Sequence, residues 1–85
     1  MPAATWRSSA RDAPGVGPAI NRLAKRIREL RAELGLTQEA AAERAKLDEK
    51  HWQDIESGRT NPTLATLVGV ARSLGVKLGE LFDGL

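Results

Sequence analysis

The chain has 85 residues and a formal net charge of +2, with 13 lysines and arginines against 11 aspartates and glutamates. This length predicts one small domain, and the absence of cysteine excludes disulfide frameworks, cysteine-based zinc sites and thiol catalysis. No apolar run approaches the roughly 18 residues of a membrane span and no secretory signal is visible, so we expect a cytoplasmic protein without a membrane partner.

Residues 1–17 are rich in Ala, Pro, Gly and Ser and follow neither a helical nor a strand period. This composition predicts a flexible N-terminal arm, which leaves residues 18–85 to form the helical domain. For Trp6 in the arm, the sequence leaves open packing on the body, contact with a partner, or exposure to solvent. The arm arginines Arg7 and Arg11 are not expected to read DNA sequence, since mobile basic arms are common.

The first predicted helix runs from Pro18, which is tolerated in a first turn, to residue 34. Gly35 would end this helix in the left-handed conformation that glycine adopts easily. Apolar residues recur along it on one stripe, as in an amphipathic helix that covers a core. They are Ile20, Leu23, Ala24, Ile27, Leu30 and Leu34.

The second predicted helix is short and has a small apolar face. Thr37 offers a hydroxyl cap for its N-terminus. Its inward positions are Ala41, Ala42 and Ala45. A connection of very few residues, centred on Lys46, then leads to the next helix.

The third predicted helix begins at Asp48, whose carboxylate is expected to cap it, and ends at Gly58. Trp52 and Ile55 share one stripe, so we predict that Trp52 is a core residue rather than a platform for stacked bases. His51 has no cysteine, histidine or paired carboxylate at ligand spacing, which favours a surface or groove-facing histidine and predicts no metal site.

The fourth predicted helix begins at Thr63, after a loop that Pro62 keeps out of helical geometry, and ends at Gly75. Its predicted apolar stripe consists of Leu64, Leu67, Val68, Ala71 and Leu74. A last turn over 78–82 would bring Leu81 and Phe82 inward. Because no segment alternates with period two, the predicted fold class is all-α, with five short helices that share one core.

The segment from 36 to 62 carries the most information. It consists of two short capped helices, a tight connection and a glycine stop, which is the layout of a helix-turn-helix unit. With its flanks, over about residues 20–83, it resembles the Xre-type helix-turn-helix family of Cro and lambda-like repressors. The motifs that carry this resemblance are RIRELR over 26–31, GLTQE over 35–39, IESG-R-NP over 55–62 and T-L-A-LGV-L-ELF over 66–82.

The resemblance implies a compact five-helix, lambda-repressor-like DNA-binding domain and assigns roles to matching positions. The third helix would lie in the major groove of double-stranded DNA, while the start of the second helix and the loop after the third hold phosphates. The implied base-reading residues are Asp48, Glu49, Lys50, Gln53 and Asp54. The implied phosphate-binding residues are Thr37, Gln38, Arg59, Thr60 and Asn61.

The resemblance also implies a structural ion pair between Arg31 in the first helix and Glu56 at the end of the third. One departure from the family pattern lies in the turn, where Lys46 replaces the glycine that relatives usually have. Lys46 must therefore adopt a left-handed conformation, or the turn must differ locally.

A single third helix reads only a few base pairs, so the predicted function is that of a homodimeric, sequence-specific transcriptional regulator on a palindromic operator. A phage-type repressor or a restriction–modification controller fits a chain of this size. The candidate dimer contacts are the spare apolar positions Val70, Val76, Leu78 and Leu85. The alternative is a protein-binding module such as the antitoxin of a toxin–antitoxin pair. No nucleophile–base set, metal cluster or phosphate loop is visible, so we predict no enzyme activity and no cofactor.

The charge is unevenly distributed along the chain. Residues 1–31 hold seven basic and two acidic side chains, whereas residues 32–58 hold three basic and seven acidic ones. The predicted reading helix is therefore acidic, although DNA is a polyanion. We expect non-specific attraction to come from the arm, the first helix and Arg59, and the acidic helix to act by rejecting wrong bases.

Overall fold

The computed structural model describes residues 13–85, in which all regular structure is helical. Five helices follow one another, which confirms the predicted all-α class. They are α1 (Val16–Glu33), α2 (Gln38–Ala45), α3 (Glu49–Glu56), α4 (Leu64–Ser73) and α5 (Leu78–Leu81). None of these helices is both long and apolar enough to cross a membrane. Most of the predicted arm, with Trp6, Arg7 and Arg11, lies outside the described residues.

Helix α1 begins at Val16, two residues before the predicted start at Pro18. Gly15 precedes it in the left-handed conformation, with φ of 85°. Pro18 is thus the third helical residue, where the missing N–H costs no hydrogen bond because the first four amides of a helix have no partner within it. The predicted arm consequently loses its last two residues to the helix.

Side-chain capping was predicted at Thr37 and Asp48, and it occurs at Thr37 and also at Thr63, the predicted start of the fourth helix. The Thr37 hydroxyl accepts a hydrogen bond from the Ala40 amide at 3.0 Å, and Thr63 caps α4 in the same way. The prediction for Asp48 is wrong in this respect. Asp48 occupies the N-cap position of α3, but its carboxylate makes no capping hydrogen bond.

All five helices contribute to one core. Trp52 is fully buried in it, as predicted, together with three of the four alanines of α2. The bulky indole and these small side chains therefore belong to the same packed cluster. Its members are Leu23, Ile27, Leu30, Ala41, Ala42, Ala45, Trp52, Ile55, Leu67, Val70, Ala71, Leu74 and Leu81.

Helix α4 is rotated relative to its predicted orientation. Val70 has no exposed surface, whereas Leu64 is 64% and Val68 46% exposed. The reason lies in two small residues that bring α4 close to the backbone of α2. The Ser73 hydroxyl donates to the Ala41 carbonyl at 2.7 Å, and a Cβ on Gly69 would lie only 3.2 Å from the carbonyl oxygen of Ala45. This approach turns Val70 inward, so the prediction that Val70 is a spare surface position is wrong.

Candidate DNA interface

The turn between α2 and α3 is three residues long and depends on Lys46. Lys46 has φ of 59° and ψ of 41°, the left-handed conformation that the sequence offered as one of two possibilities. Its amide donates to the Glu43 carbonyl at 3.1 Å, and the Leu47 amide donates to the Ala42 carbonyl at 2.9 Å. These bonds close the end of α2 and redirect the chain at once into α3. The two eight-residue helices thus form the helix-turn-helix unit that the sequence predicted.

A buried carboxylate joins this unit to α1. Glu56, the last residue of α3, has only 3% of its side chain exposed. It accepts hydrogen bonds from Arg31 of α1, from the Gln38 amide of α2 at 2.9 Å, and from the Trp52 indole of α3. The structure therefore contains the ion pair that the resemblance implied. It also adds two neutral donors, so one side chain fixes the relative positions of three helices.

The surroundings of Glu56 decide its protonation. Burial alone would raise the pKa of the Glu56 carboxyl, because a charge is poorly solvated inside a protein. The hydrogen bonds from Arg31, Gln38 and Trp52 and the positive charge of Arg31 outweigh burial, and the pKa lies below the ordinary value of 4.5. Glu56 is thus ionised at neutral pH and serves as the common acceptor of the cluster.

Gln38 has a role that sequence reasoning missed. It was assigned to phosphate alone, but its amide nitrogen donates to Glu56 and its side chain is half-buried. No local pattern reveals this bond, since Gln38 and Glu56 are 18 residues apart and lie on different helices. Phosphate binding by Gln38 remains a prediction, and it would use a donor of Gln38 that is not engaged with Glu56.

The outward side chains of α3 form a row of polar groups that pair with one another. Lys50 donates to the Asp54 carboxylate at 2.7 Å, and the Gln53 amide donates to Glu49 at 3.4 Å. Both pairs are four residues apart, so they lie side by side along one face of the helix. Asp48 is exposed at the start of α3. The structure thus places all five predicted base-reading residues on or beside one helix, and four of them form two hydrogen-bonded pairs.

The loop after α3 lies against α1. Gly58, with φ of 72°, is buried, and a Cβ there would lie 2.8 Å from the side-chain oxygen of Asn21. Arg59 follows, and its guanidinium is 3.9 Å from Asp54. Arg59 and Asn61 are exposed and Thr60 is half-exposed, so the predicted phosphate-binding residues of this loop are accessible.

Three of the cations in α1 are engaged within the protein, and one of them, Arg26, donates to the Glu80 carbonyl of α5 at 3.3 Å. Arg31 is paired with Glu56, and the Arg28 guanidinium donates to the main-chain carbonyl of Glu56 at the C-terminus of α3. A cation at this position also offsets the negative end of the helix dipole. The positive charge predicted for the first helix therefore partly serves to hold α3 in place.

The predicted dimer contacts differ in their exposure. Leu85 is 49% exposed, whereas Val76 and Leu78 are partly buried and pack against the core. Leu85 lines an apolar groove of about 270 Å³ together with Val16, Ile20, Leu67 and Phe82. With Val70 excluded by its burial, Leu85 is the most accessible of the four predicted positions.

His51 is half-buried on α3. Among residues 13–85, no three His, Cys, Asp or Glu side chains come together as a metal site would require.

Comparison with known proteins places this geometry in a family. Residues 22–84 match the helix-turn-helix domain family. The chain is 39% identical over 64 residues to the HTH-type transcriptional regulator DdrOP3 of Deinococcus deserti, covering 75% of this chain and 50% of that protein. It is 42% identical over 57 residues to the immunity repressor protein of Bacillus phage phi105, covering 67% of this chain and 40% of the repressor.

A solved structure is similar over nearly its whole length. The restriction-modification controller protein C.AhdI from Aeromonas hydrophila is 33% identical, with a TM-score of 0.73 over 74% of this chain and 96% of the controller. The present chain thus spans half or less of the two regulators above but almost all of the controller. These three relatives are named as a regulator, a repressor and a controller, which agrees with the prediction of no enzyme activity and lends no support to the antitoxin alternative. The chain belongs to the helix-turn-helix domain family, in the Xre-type group of Cro and lambda-like repressors that its motifs resemble.

Proposed function

We propose that this protein is a sequence-specific transcriptional regulator that binds a palindromic DNA operator as a homodimer, in the manner of a phage repressor or a restriction–modification controller. The observation that carries the proposal is the exposed polar row on α3, held in place by the Glu56 cluster. A reading helix must present polar groups to base edges while its own position stays fixed. As a DNA-binding regulator it would act in the cytoplasm.

In the proposed complex, α3 lies in the major groove and its side chains meet the base edges. Lys50 suits the O6 and N7 acceptors of guanine, Gln53 suits adenine, and Glu49 suits the amino group of cytosine. Asp48 and Asp54 complete the row. At the flanks, phosphates would be held by the N-terminus of α2, with Thr37 and Gln38, and by the loop residues Arg59, Thr60 and Asn61.

A homodimer supplies a second reading helix, so that the protein can contact two half-sites about 34–36 Å apart on DNA. Leu64 and Val68 of α4 and Leu85 are large apolar side chains that the monomer leaves exposed. We assign them to the dimer contact, together with the partly buried Val76 and Leu78. Burial of these side chains against a second copy would remove apolar surface from water.

Selection of binding sites from a random duplex library at low salt tests this function. The purified chain should enrich a palindrome with two half-sites, and failure to enrich any palindrome would refute the proposal. Lys50→Ala should relax preference at one position in each half-site and cost about 1–3 kcal/mol there. Arg59→Ala should weaken all duplexes about equally, with a salt slope smaller by about one.

A further inference from the structure

The carboxylate of Asp54 lies between two cations of the proposed interface. The Lys50 ammonium is 2.7 Å from it and the Arg59 guanidinium 3.9 Å. Asp54 is also the most covered of the three, with 29% of its side chain exposed against 71% for each cation. Lys50 can therefore swing into solvent, whereas Asp54 stays against the helix surface.

The ion pair between Lys50 and Asp54 is weak enough for Lys50 to leave Asp54 and bind DNA instead. An exposed ion pair four residues apart on a helix is weak, because water screens its charges and two flexible side chains must be ordered, so DNA can displace it. The hydrogen bond from Lys50, followed by the charges of Lys50, Arg59 and His51, lowers the pKa of Asp54 in spite of some desolvation. Asp54 is consequently a full negative charge at neutral pH on the face that would approach DNA.

Phosphates and base edges provide different hydrogen-bonding groups for Lys50 and Asp54. A phosphate provides only acceptors, so a Lys50 that moves to a phosphate leaves the Asp54 carboxylate beside a polyanion with only Arg59 of the described cations nearby, at 3.9 Å. Arg59 is itself assigned to phosphate in the proposed complex. A G·C pair in the major groove provides both kinds of partner. Guanine O6 and N7 accept from Lys50, and the cytosine amino group donates to the carboxylate.

We propose that Asp54 is a specificity-determining residue. On non-specific DNA its carboxylate holds Lys50 away from phosphates. At a G·C pair the cytosine amino group donates to Asp54 in place of Lys50, and Lys50 is released to contact guanine. This inference rests on the proposed function and concerns how the same interface discriminates. It also explains how an acidic reading helix aids recognition, since the carboxylate penalises sites that lack a donor.

The chain offers a matched control in Glu49. This residue lies one turn before Gln53 on the same face and accepts only from that neutral amide in the contacts of α3 described above. Asp54→Asn and Glu49→Gln thus remove the same charge from the same helix, but only the first removes a partner of Lys50. A difference in DNA affinity between the two variants therefore reflects loss of the Lys50–Asp54 ion pair and not the change in net charge.

The experiment titrates both variants and the wild type against a labelled random-sequence duplex and the selected operator, over a series of salt concentrations. Asp54→Asn should bind the random duplex about three- to tenfold more tightly, with a salt slope steeper by about one, because Lys50 then contacts phosphate. Its ratio of operator to random affinity should fall. Glu49→Gln removes the same charge without freeing a cation, so it should tighten random-duplex binding less than Asp54→Asn does and leave the salt slope unchanged. Its operator affinity should fall, because Glu49 is itself a proposed base contact.

A third variant isolates the role of Lys50. In the Lys50→Ala background, Asp54→Asn should no longer steepen the salt slope. Equal effects of Asp54→Asn and Glu49→Gln, or a gain that persists without Lys50, would overturn this inference while the proposed function stands. A wild-type protein that selects no operator would instead refute the proposed function.

Discussion

Glu56 connects more of the structure than any other polar side chain described above. Its carboxylate accepts from α1, α2 and α3, and its main-chain carbonyl accepts from Arg28. Buried charges require such partners, because an unpaired one costs several kcal/mol. The same cluster that stabilises the fold thus sets the angle at which α3 would enter a groove.

Removal of the Glu56 carboxylate should therefore destabilise the domain strongly. For Glu56→Ala we expect a loss of about 3 kcal/mol in the free energy of unfolding, because the Trp52 indole N–H is left buried without an acceptor. Arg31 keeps 21% of its side chain exposed, so it can still reach water, which limits the loss. Urea unfolding followed by circular dichroism measures the change. Glu56→Gln keeps one acceptor oxygen and should lose less; a loss below about 0.5 kcal/mol in Glu56→Ala would contradict the role given to the cluster.

The lowered pKa of Glu56 predicts how stability depends on pH. A carboxyl whose pKa is lower in the folded than in the unfolded state stabilises the fold above its unfolded value, here near 4.5. This contribution is lost as the pH falls through the folded pKa. The difference in unfolding free energy between wild type and Glu56→Gln should therefore be constant from pH 7 to about 5 and shrink at lower pH. A difference that stays constant down to pH 3 would show that Glu56 does not titrate in this way.

Among the elements, α2 and α3 are too short to be stable alone and depend on their ends and their packing. Their N-termini differ, because Thr37 caps α2 through its side chain whereas Asp48 makes no such bond. The left-handed Lys46 between them supplies the sharp change of direction. The helix-turn-helix geometry thus depends on one capping hydroxyl and one strained backbone position.

The two N-caps provide a matched comparison. Thr37→Ala should lower the free energy of unfolding by about 1 kcal/mol, because the Ala40 amide loses its acceptor. Asp48→Ala removes a side chain with no capping bond and should cost less than about 0.5 kcal/mol. Thermal unfolding by circular dichroism compares both with wild type, and Thr37→Ser serves as the conservative control. Equal losses in the two alanine variants would mean that the Thr37 hydroxyl is not the stabilising group.

Local patterns predicted much of the architecture. Five of the six inward positions predicted for α1 are buried, because a long amphipathic stripe has one orientation that covers a core. They are Ile20, Leu23, Ala24, Ile27 and Leu30. The prediction is wrong for Leu34, which follows the last residue of α1 and is 49% exposed. The burial of Trp52 followed from the same periodicity. The order of the motifs indicated the family, and the family implied the Arg31–Glu56 pair.

The orientation of α4 and the partners of Gln38 could not be predicted in this way. Almost every residue of α4 is apolar or small, so periodicity alone does not distinguish Val68 from Val70. The contacts of Gly69 and Ser73 with the α2 backbone decide between them, and these depend on how two separate helices meet. The hydrogen bond from Gln38 to Glu56 likewise exists only once three helices have packed together.

For the whole molecule, the rotation of α4 redistributes apolar surface. Val70 moves into the core, and Leu64 and Val68 move out. The apolar residues of α4 available for a second copy are therefore Leu64 and Val68 rather than the predicted Val70.

Substitution of the exposed pair tests the dimer contact. Leu64→Ser combined with Val68→Ser should shift the protein from dimer toward monomer in sedimentation, with little effect on folding because both side chains are exposed. Affinity for the two-site operator should fall, while affinity for a single half-site should not change. Leu34→Ser is the matched control, since Leu34 is 49% exposed at the end of α1. A variant that remains as dimeric as wild type would exclude this surface.

The bond between Trp52 and Glu56 gives α3 an optical reporter of its own. Both residues belong to this helix, and the indole has no exposed surface. Tryptophan emission depends on the polarity around the ring, so displacement of α3 from the core would shift the Trp52 emission to longer wavelength. Docking of the outer face of α3 on a ligand leaves the indole shielded from water and would not produce this shift. With Trp6 replaced by Phe, one emission spectrum would therefore distinguish binding of a ligand by α3 from displacement of α3 from the core.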